Sequence, residues 1–196
     1  MPRFLLASSL AAASAASVAL AADPVRTLSP QEVPAGLAPA VERGDAAADA
    51  LRDRFLKRVT AMLAQGGPTA AMSVCPTEAP RIARDVAEVH HVDIGRTSFR
   101  LRNPANAPRA WAASYVAAAA GKRPDELKPV VFDLGDRVGL LRPIVATPTC
   151  KGCHGPAEVL DPQAKAEIVR RYPRDQAIGF APGDLRGFIW VEVKKR

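Results

Sequence analysis

Hydrophobic positions in the first half of the chain recur with a helical period. From residue 40 to residue 65 they are spaced by three or four positions, and the glycines at 66 and 67 end this predicted helix. Pro68 opens a second helical stretch, which leads to Cys75. The apolar positions of the first helix are Leu51, Phe55, Val59, Met62 and Leu63.

A proline directly after Cys75 interrupts this pattern. Pro76 disfavours helical backbone at Cys75 and leaves the Met72 carbonyl without its usual donor, so we expect the helix to kink or restart here. Thr77 is predicted to cap the next helix, which runs to about residue 91. The apolar stripe of that helix consists of Ile82, Val86 and Val89.

The second half of the chain mixes extended and helical patterns. A short extended piece at residues 92–103 precedes a helix that Gly121 stops, and two β-rich runs then flank a hairpin signal at residues 135–136. A further helix begins at Asp161, and residues 188–193 form a final strand. Helices packed on a small, mostly antiparallel sheet define an α+β fold.

The first 21 residues have the order of features found in an export signal. Arg3 gives the positive end, an Ala- and Ser-rich apolar stretch follows, and residues 19–21 are a small-residue cleavage site. A membrane anchor needs about 20 strongly apolar residues, so we favour a cleaved signal at 1–21. Residues 22–40 are rich in proline and without periodicity, which predicts a flexible lead-in, and residues 41–196 are predicted to form one domain.

Charge and hydropathy limit the partners of the mature chain. Loss of Arg3 lowers the formal net charge from +7 to +6, and about 175 residues are enough for one domain with a sizeable core. Basic residues are scattered and aromatic residues are few, so no nucleic-acid-binding surface is indicated. No later segment is apolar enough to span a bilayer. We therefore expect a soluble protein with no membrane contact after signal removal, periplasmic if the source is a Gram-negative bacterium.

The sequence CKGCH at residues 150–154 carries the strongest chemical signal. It matches C-x-x-C-H, the attachment site of c-type haem. The thiols of Cys150 and Cys153 would form thioethers with the vinyl groups of the porphyrin, and His154 would be an axial ligand of the iron. Covalent haem attachment takes place outside the cytoplasm, which agrees with the export signal.

Closely spaced cysteines also occur in three other kinds of site. A thioredoxin-like redox pair gives no role to His154, and the residues before Cys150 lack the expected context. A zinc site needs four well-placed ligands, and the adjacent Cys153 and His154 would share one small tetrahedral ion only with strain. A structural disulfide suits an exported chain. The spacing favours haem c, bound covalently as one group per chain.

Haem attachment leaves one cysteine over. Cys75 lies in a small, apolar run and is typical of a buried hydrophobic residue, a reactive thiol or an iron ligand. From residue types alone, the sixth iron ligand is open, and the candidates are Cys75, His90, His91, Met62 and Met72. The two histidines also suit a helix C-terminus, and the methionines a core.

Several stretches, in order, resemble a family of small c-type haem domains with a PAS-like fold. They are AMSVCPTEAPRIA, IGRTSFRLRNPANAPRAW, CKGCHG and YPRDQAIGFAPGDLRGFIWVEV, and the resemblance runs from about residue 45 to the end. It implies an antiparallel sheet with N-terminal and flanking helices and one haem held between a histidine and a cysteine. On this resemblance His154 is the proximal iron ligand and Cys75 the distal one.

These observations lead to a functional hypothesis. We expect an exported monohaem c-type cytochrome, not an enzyme, that acts in redox sensing or electron transfer with an acidic redox partner or a separate signalling protein. Arg96, Arg100 and Arg102 are candidates for pairing with the haem propionates. The alternative is a peroxidase-like haem enzyme or gas-binding protein with an open distal site, for which no acid/base constellation was found.

Overall fold

Five antiparallel strands and six helices form the part of the chain that the structure describes. This structure is a computed structural model, and it describes residues 25–127 and 130–195. The strands are β1 (Arg26–Leu28), β2 (Asp93–Thr97), β3 (Val131–Asp133), β4 (Arg137–Val145) and β5 (Leu185–Lys194). The helices are α1 (Ala38–Ala71), α2 (Val74–Thr77), α3 (Ala79–His90), α4 (Ala113–Ala118), α5 (Lys151–His154) and α6 (Pro162–Arg171). This is the α+β fold that the sequence predicts.

The sheet has the strand order β1-β3-β4-β5-β2. The predicted hairpin is confirmed, because β3 and β4 pair antiparallel around Gly135, which has a φ of 83°. The side chain of Asp133 accepts a hydrogen bond from the Gly135 N–H at 3.0 Å and so fixes the turn. The strand β5 lies between β4 and β2, so the last strand of the chain is central in the sheet.

Helix α1 covers one face of the sheet through small side chains. Its buried positions recur at helical spacing, and they are Ala40, Gly44, Ala47, Ala48 and Leu51. They pack on the buried side chains of β4 and β5, which are Val138, Leu140, Val191 and Val193, and Val86 of α3 joins the same cluster. The small residues let the helix backbone approach the sheet closely.

The opposite face of the sheet is covered by an aromatic cluster. The Trp111 and Phe132 ring centroids are 4.9 Å apart, and Tyr115 meets both Phe132 and Phe188 edge-on. Glu192 of β5 is buried on this face and accepts a hydrogen bond from Trp111 Nε1 at 2.8 Å. The two faces therefore have separate cores, and the candidate site lies at the end of the molecule where α1, α5 and α6 meet.

The helix breaks near Cys75 differ in part from the prediction. Non-helical backbone at Gly66 and Gly67 breaks α1 as expected. The helix restarts at Val74, before Cys75, so both Cys75 and Pro76 lie in the single turn α2. Proline is tolerated there because the N–H groups of a first helical turn have no intrahelical acceptor.

Thr77 does not cap the following helix, so that prediction was wrong. Its hydroxyl instead donates to the Ser73 carbonyl at 2.6 Å, and Glu78 occupies the N-cap position of α3. The Glu78 carboxylate pairs with Arg58 of α1, with a shortest N to O distance of 2.6 Å. A Thr hydroxyl bonds readily to a carbonyl four residues earlier, and this contact competes with the capping role.

The described part of the predicted lead-in contains regular structure. Sequence periodicity indicated none between residues 22 and 40, but Arg26–Leu28 form the edge strand β1, paired with β3, and α1 already begins at Ala38. Leu28 is only 2% exposed. A three-residue strand is too short to show a period, and its pairing partner is a hundred residues away. The predicted signal, residues 1–21, lies outside the described residues.

In residues 25–127 and 130–195, no helix has both the length and the apolar composition that crossing a bilayer requires.

Candidate functional site

The two cysteines of the CKGCH sequence lie on one side of a short helical turn. A turn of 3-10 helix at Pro148–Cys150 runs directly into α5, so Cys150 and Cys153 are one turn apart. All three cysteines of the chain are free thiols. Cys153 packs against the buried cluster around Met72 and Tyr172, and this burial raises the pKa of its thiol to about 11.

His154 is held by a backbone carbonyl. Its Nδ1 lies 2.7 Å from the Ala177 oxygen, which fixes Nδ1 as the protonated nitrogen and leaves the lone pair on Nε2. Desolvation, followed by the charges of Arg186 and Arg102, holds the pKa of His154 well below its ordinary value. The imidazole is therefore neutral at pH 7 and oriented as a metal ligand usually is.

The segment from residue 175 to residue 180 supports this turn. The Phe180 N–H donates to the His154 carbonyl, and the Gly179 N–H donates to the Gly155 carbonyl, both at 2.8 Å. These backbone bonds join the CKGCH turn to the stretch that carries Ala177. The position of the imidazole thus depends on two chain segments, since His154 and Ala177 are 23 positions apart in sequence.

Arg102 ties the same two segments together. Its Nη2 donates to the carbonyls of Cys153 at 2.6 Å and Ala177 at 3.2 Å, and it pairs with Asp175 at 3.0 Å. The side chains of Arg102 and Asp175 are only 6% and 7% exposed. The Nε of Arg102 is buried and has no hydrogen-bond partner in the described part of the chain.

Arg96 lies on β2 and faces α1. Its guanidinium stacks on the Phe55 ring at 4.0 Å from the centroid. Desolvation lowers the pKa of Arg96, and the nearby groups of Cys75 and Tyr172 act in the opposite direction. Within the described residues Arg96 has no carboxylate partner.

Arg100 is bound to protein carbonyls. Its Nε donates to the Gln176 carbonyl at 2.9 Å and its Nη2 to the Ile178 carbonyl. The guanidinium also stacks on the Phe180 ring at 4.4 Å. These contacts place Arg100 on the supporting segment 175–180 rather than beside His154.

Cys75 lies on the approach to α3 and shares electrostatic neighbours with His154. Cys75 lies close enough to Arg96 and Arg186 to affect the pKa of each guanidinium, although desolvation is the largest cause of the shift at both. The same two arginines lower the pKa of His154. Thiol and imidazole thus lie within electrostatic reach of one pair of guanidinium groups.

The other candidates for a sixth ligand are two histidines at the end of α3 and two methionines, of which Met72 packs close to Cys153. His90 is the last residue of α3 and His91 is its left-handed cap. Because α3 has 12 residues and is therefore about 18 Å long, both histidines are remote from Cys75. Met72 is 1% exposed, and its sulfur is 3.6 Å from Arg102 Nη1, so it belongs to the core. Met62 lies on α1 and is half-buried.

Sequence reasoning missed Arg186. Its Nε lies 3.4 Å from His154 Nδ1, and desolvation lowers its pKa to about 10. The charges of three guanidinium groups act on His154, those of Arg96, Arg102 and Arg186, and in the described chain only Asp175 forms an ion pair with any of them. A signal for it does exist in the sequence. Arg186 and Gly187 interrupt the apolar pattern at the start of β5.

Fold and site together define an α+β protein in which two free thiols and a neutral histidine share one short turn, with arginine side chains close to the histidine. The chain belongs to the Tll0287-like family, whose model matches residues 6–194. A solved structure of the cyanobacterial haem protein Tll0287 matches with a TM-score of 0.56 and 22% identity, over 84% of this chain and 98% of that one. At this identity the likeness shows a shared fold. The chain has no match among curated proteins.

Proposed function

We propose that this chain is an exported monohaem c-type cytochrome that acts in redox sensing or electron transfer. Cys150 and Cys153 would hold the haem through thioethers, with His154 as the proximal ligand and Cys75 as the distal one. The observation that carries the proposal is the state of His154. It is neutral, its Nδ1–H donates to the Ala177 carbonyl, and its Nε2 lone pair is left to bind iron beside two free thiols.

The charges around the site fit a group that carries carboxylates. Desolvated guanidinium groups without anionic partners cost free energy, and a haem brings two propionates that offset this cost. Arg96 has no carboxylate partner in the described residues, and the buried Nε of Arg102 has no hydrogen-bond partner there. We assign the first propionate contact to Arg96. Arg102 has only its buried Nε to offer, because its Nη2 already pairs with Asp175 and donates to two carbonyls. Arg100 also donates to two backbone carbonyls, so both are less suited than Arg96.

The proposed ligand pair favours a redox role over catalysis. When bound, the haem supplies an iron centre that gains and loses one electron. If Cys75 and His154 both bound the iron, they would leave no open site for a substrate, so we propose a carrier or sensor rather than an enzyme. An anionic sulfur stabilises the ferric state and lowers the reduction potential.

The strand order supports the PAS-like arrangement that the sequence resemblance implies. Strand β2 pairs with β5 at the edge of the meander β3–β4–β5. The first strand after α3 therefore lies beside β5. The surface charge of the mature chain favours an acidic partner. The match to the haem protein Tll0287 adds support for haem binding.

The proposal is tested on protein purified from a host that assembles c-type cytochromes. Intact mass should exceed that of the mature polypeptide by one haem, and the ferric spectrum should be six-coordinate low-spin with thiolate features. Cys75→Ala should keep the added mass and lose the thiolate features, whereas the control variants His90→Gln and Met62→Leu should keep both. A bare polypeptide mass would exclude covalent haem, and an unchanged spectrum in Cys75→Ala would exclude the distal assignment. High-spin ferric iron in the unmodified protein would favour the enzyme or gas-binding alternative.

A further inference from the structure

Strand β5 contains one residue more than its neighbour at the point closest to the site. Ile144 of β4 pairs with Gly187 and Val145 pairs with Leu185, so Arg186 has no partner on β4. An extra residue of this kind is a β-bulge, which bends the strand and redirects a side chain. The redirected side chain here is the one that lies beside His154.

The bulge depends on a glycine. A Cβ at Gly187 would lie 2.3 Å from the Thr97 carbonyl oxygen of β2, which is closer than real Cβ contacts allow, and φ at this residue is 153°. Glycine alone permits this close approach of the two strands. The bulge at Arg186 therefore requires a glycine at position 187.

Hydrogen bonds fix both ends of Arg186. The hydroxyl of Ser98, a residue that is only 4% exposed, donates to the Arg186 carbonyl at 2.8 Å. At the other end, Arg186 Nη1 donates to the Arg100 carbonyl at 3.3 Å, and the guanidinium lies over the Phe180 ring at 5.1 Å. Held in this way, the side chain has little freedom to turn away from His154.

The contact between Arg186 and His154 is electrostatic. Because the His154 Nδ1–H already donates to the Ala177 carbonyl at 2.7 Å, the Arg186 Nε–H at 3.4 Å meets another donor and not an acceptor. A carbonyl acceptor makes an imidazole a stronger ligand. A fixed positive charge at the same edge of the ring has the opposite effect, because it disfavours electron donation towards a bound metal.

We propose that Arg186, directed by the β-bulge, is a positioning residue that sets the ligand strength of His154 and raises the reduction potential of the haem. This inference rests on the proposed function, in which His154 is an iron ligand. In that setting the Arg186 charge opposes the effect of the Cys75 thiolate. The two residues together would place the potential between the values that either would give alone.

The inference is tested by redox titration of purified holoprotein. Arg186→Gln should shift the potential downward, with the ferric-to-ferrous ratio at a fixed potential rising on the order of tenfold, because a nearby positive charge is lost. Arg186→Lys, which keeps the charge, should recover most of that shift. The control is Arg109→Gln, which also removes one positive charge beside β5, but near Glu192. The potential of this control should stay close to that of the unmodified protein.

The outcomes separate this inference from the proposed function. Absence of haem mass in the unmodified protein contradicts the proposed function itself. Haem mass in all variants, with equal potentials in Arg186→Gln and Arg109→Gln, or with an upward shift in Arg186→Gln, overturns the role of Arg186. If Arg186→Gln fails to fold, Ser98→Ala is the second variant. It removes the hydrogen bond that holds the bulge carbonyl, together with the one that Ser98 Oγ accepts from the Arg100 N–H at 3.0 Å, and it should shift the potential in the same downward direction; no shift there overturns the proposal.

Discussion

At the residue scale, the buried pair of Arg102 and Asp175 holds the site together. Arg102 joins the Cys153 and Ala177 carbonyls, and Asp175 also accepts the Ala177 N–H at 2.8 Å. Ala177 in turn orients His154. A side chain that the sequence singled out as a cofactor contact is therefore also the link between the two segments on which the imidazole depends.

Replacement of Arg102 tests this structural role. Arg102→Met leaves the Asp175 carboxylate buried without its partner, and such losses cost about 3–5 kcal/mol of unfolding free energy. The same replacement removes the repulsion between Arg102 and Arg186, which offsets part of this cost. We therefore expect the free energy of unfolding to fall by about 3 kcal/mol. Urea denaturation measures this loss.

The control for this prediction is an exposed ion pair. The side chains of Arg123 and Asp125 are 77% and 66% exposed, so Arg123→Met should cost less than about 1 kcal/mol. Equal decreases in unfolding free energy in the two variants would show that burial does not make the Arg102–Asp175 pair more important for stability than an exposed pair.

At the element scale, the close fit of α1 on the sheet depends on its small residues. A Cβ at Gly44 would lie 2.2 Å from Leu140 Cδ1 and 3.0 Å from Val193 Cγ2. Gly44→Val overfills this contact, and we expect a loss of about 1–3 kcal/mol of stability. Thermal unfolding should show it as a lower melting temperature.

A valine on the exposed side of the same helix is the matched control. Ala46 lies two residues from Gly44 and faces solvent, so Ala46→Val should cost only the helix propensity difference, about 0.5 kcal/mol. A Gly44→Val variant as stable as Ala46→Val would contradict the packing described here.

Elements with a local sequence pattern were predicted from the sequence, and the edge strand that depends on distant pairing was not. The helical period of α1 and the hairpin of β3 and β4 appear in the local pattern, because each buries a face with a fixed spacing. The edge strand β1 has no such local pattern, since its stability comes from pairing with β3, far along the chain. The turn α2 was not predicted. The break was expected at Cys75, but it lies at residues 72–73, and Pro76 is accommodated inside α2 because a first helical turn does not need its N–H groups.

At the scale of the whole molecule, the site is assembled from distant segments. The cysteines and His154 were predicted together because they are adjacent in sequence, and their spacing carries the chemistry. Arg186 was missed because its role depends on a bulge, which only the register of β4 and β5 reveals. The sequence therefore predicts which residues share the CKGCH turn but not the tertiary contacts that orient them.

Haem attachment should depend on export in this protein, whereas export should not depend on haem attachment. The precursor begins with a predicted signal at residues 1–21, and thioether formation takes place outside the cytoplasm, so we predict that deletion of residues 2–21 yields a chain without haem mass in a host that assembles cytochromes. The full precursor should give a periplasmic product that starts near Ala22. The control is Cys150→Ala together with Cys153→Ala behind an intact signal, which should reach the periplasm without covalent haem. Haem mass on the signal-deleted chain would contradict the link between export and attachment.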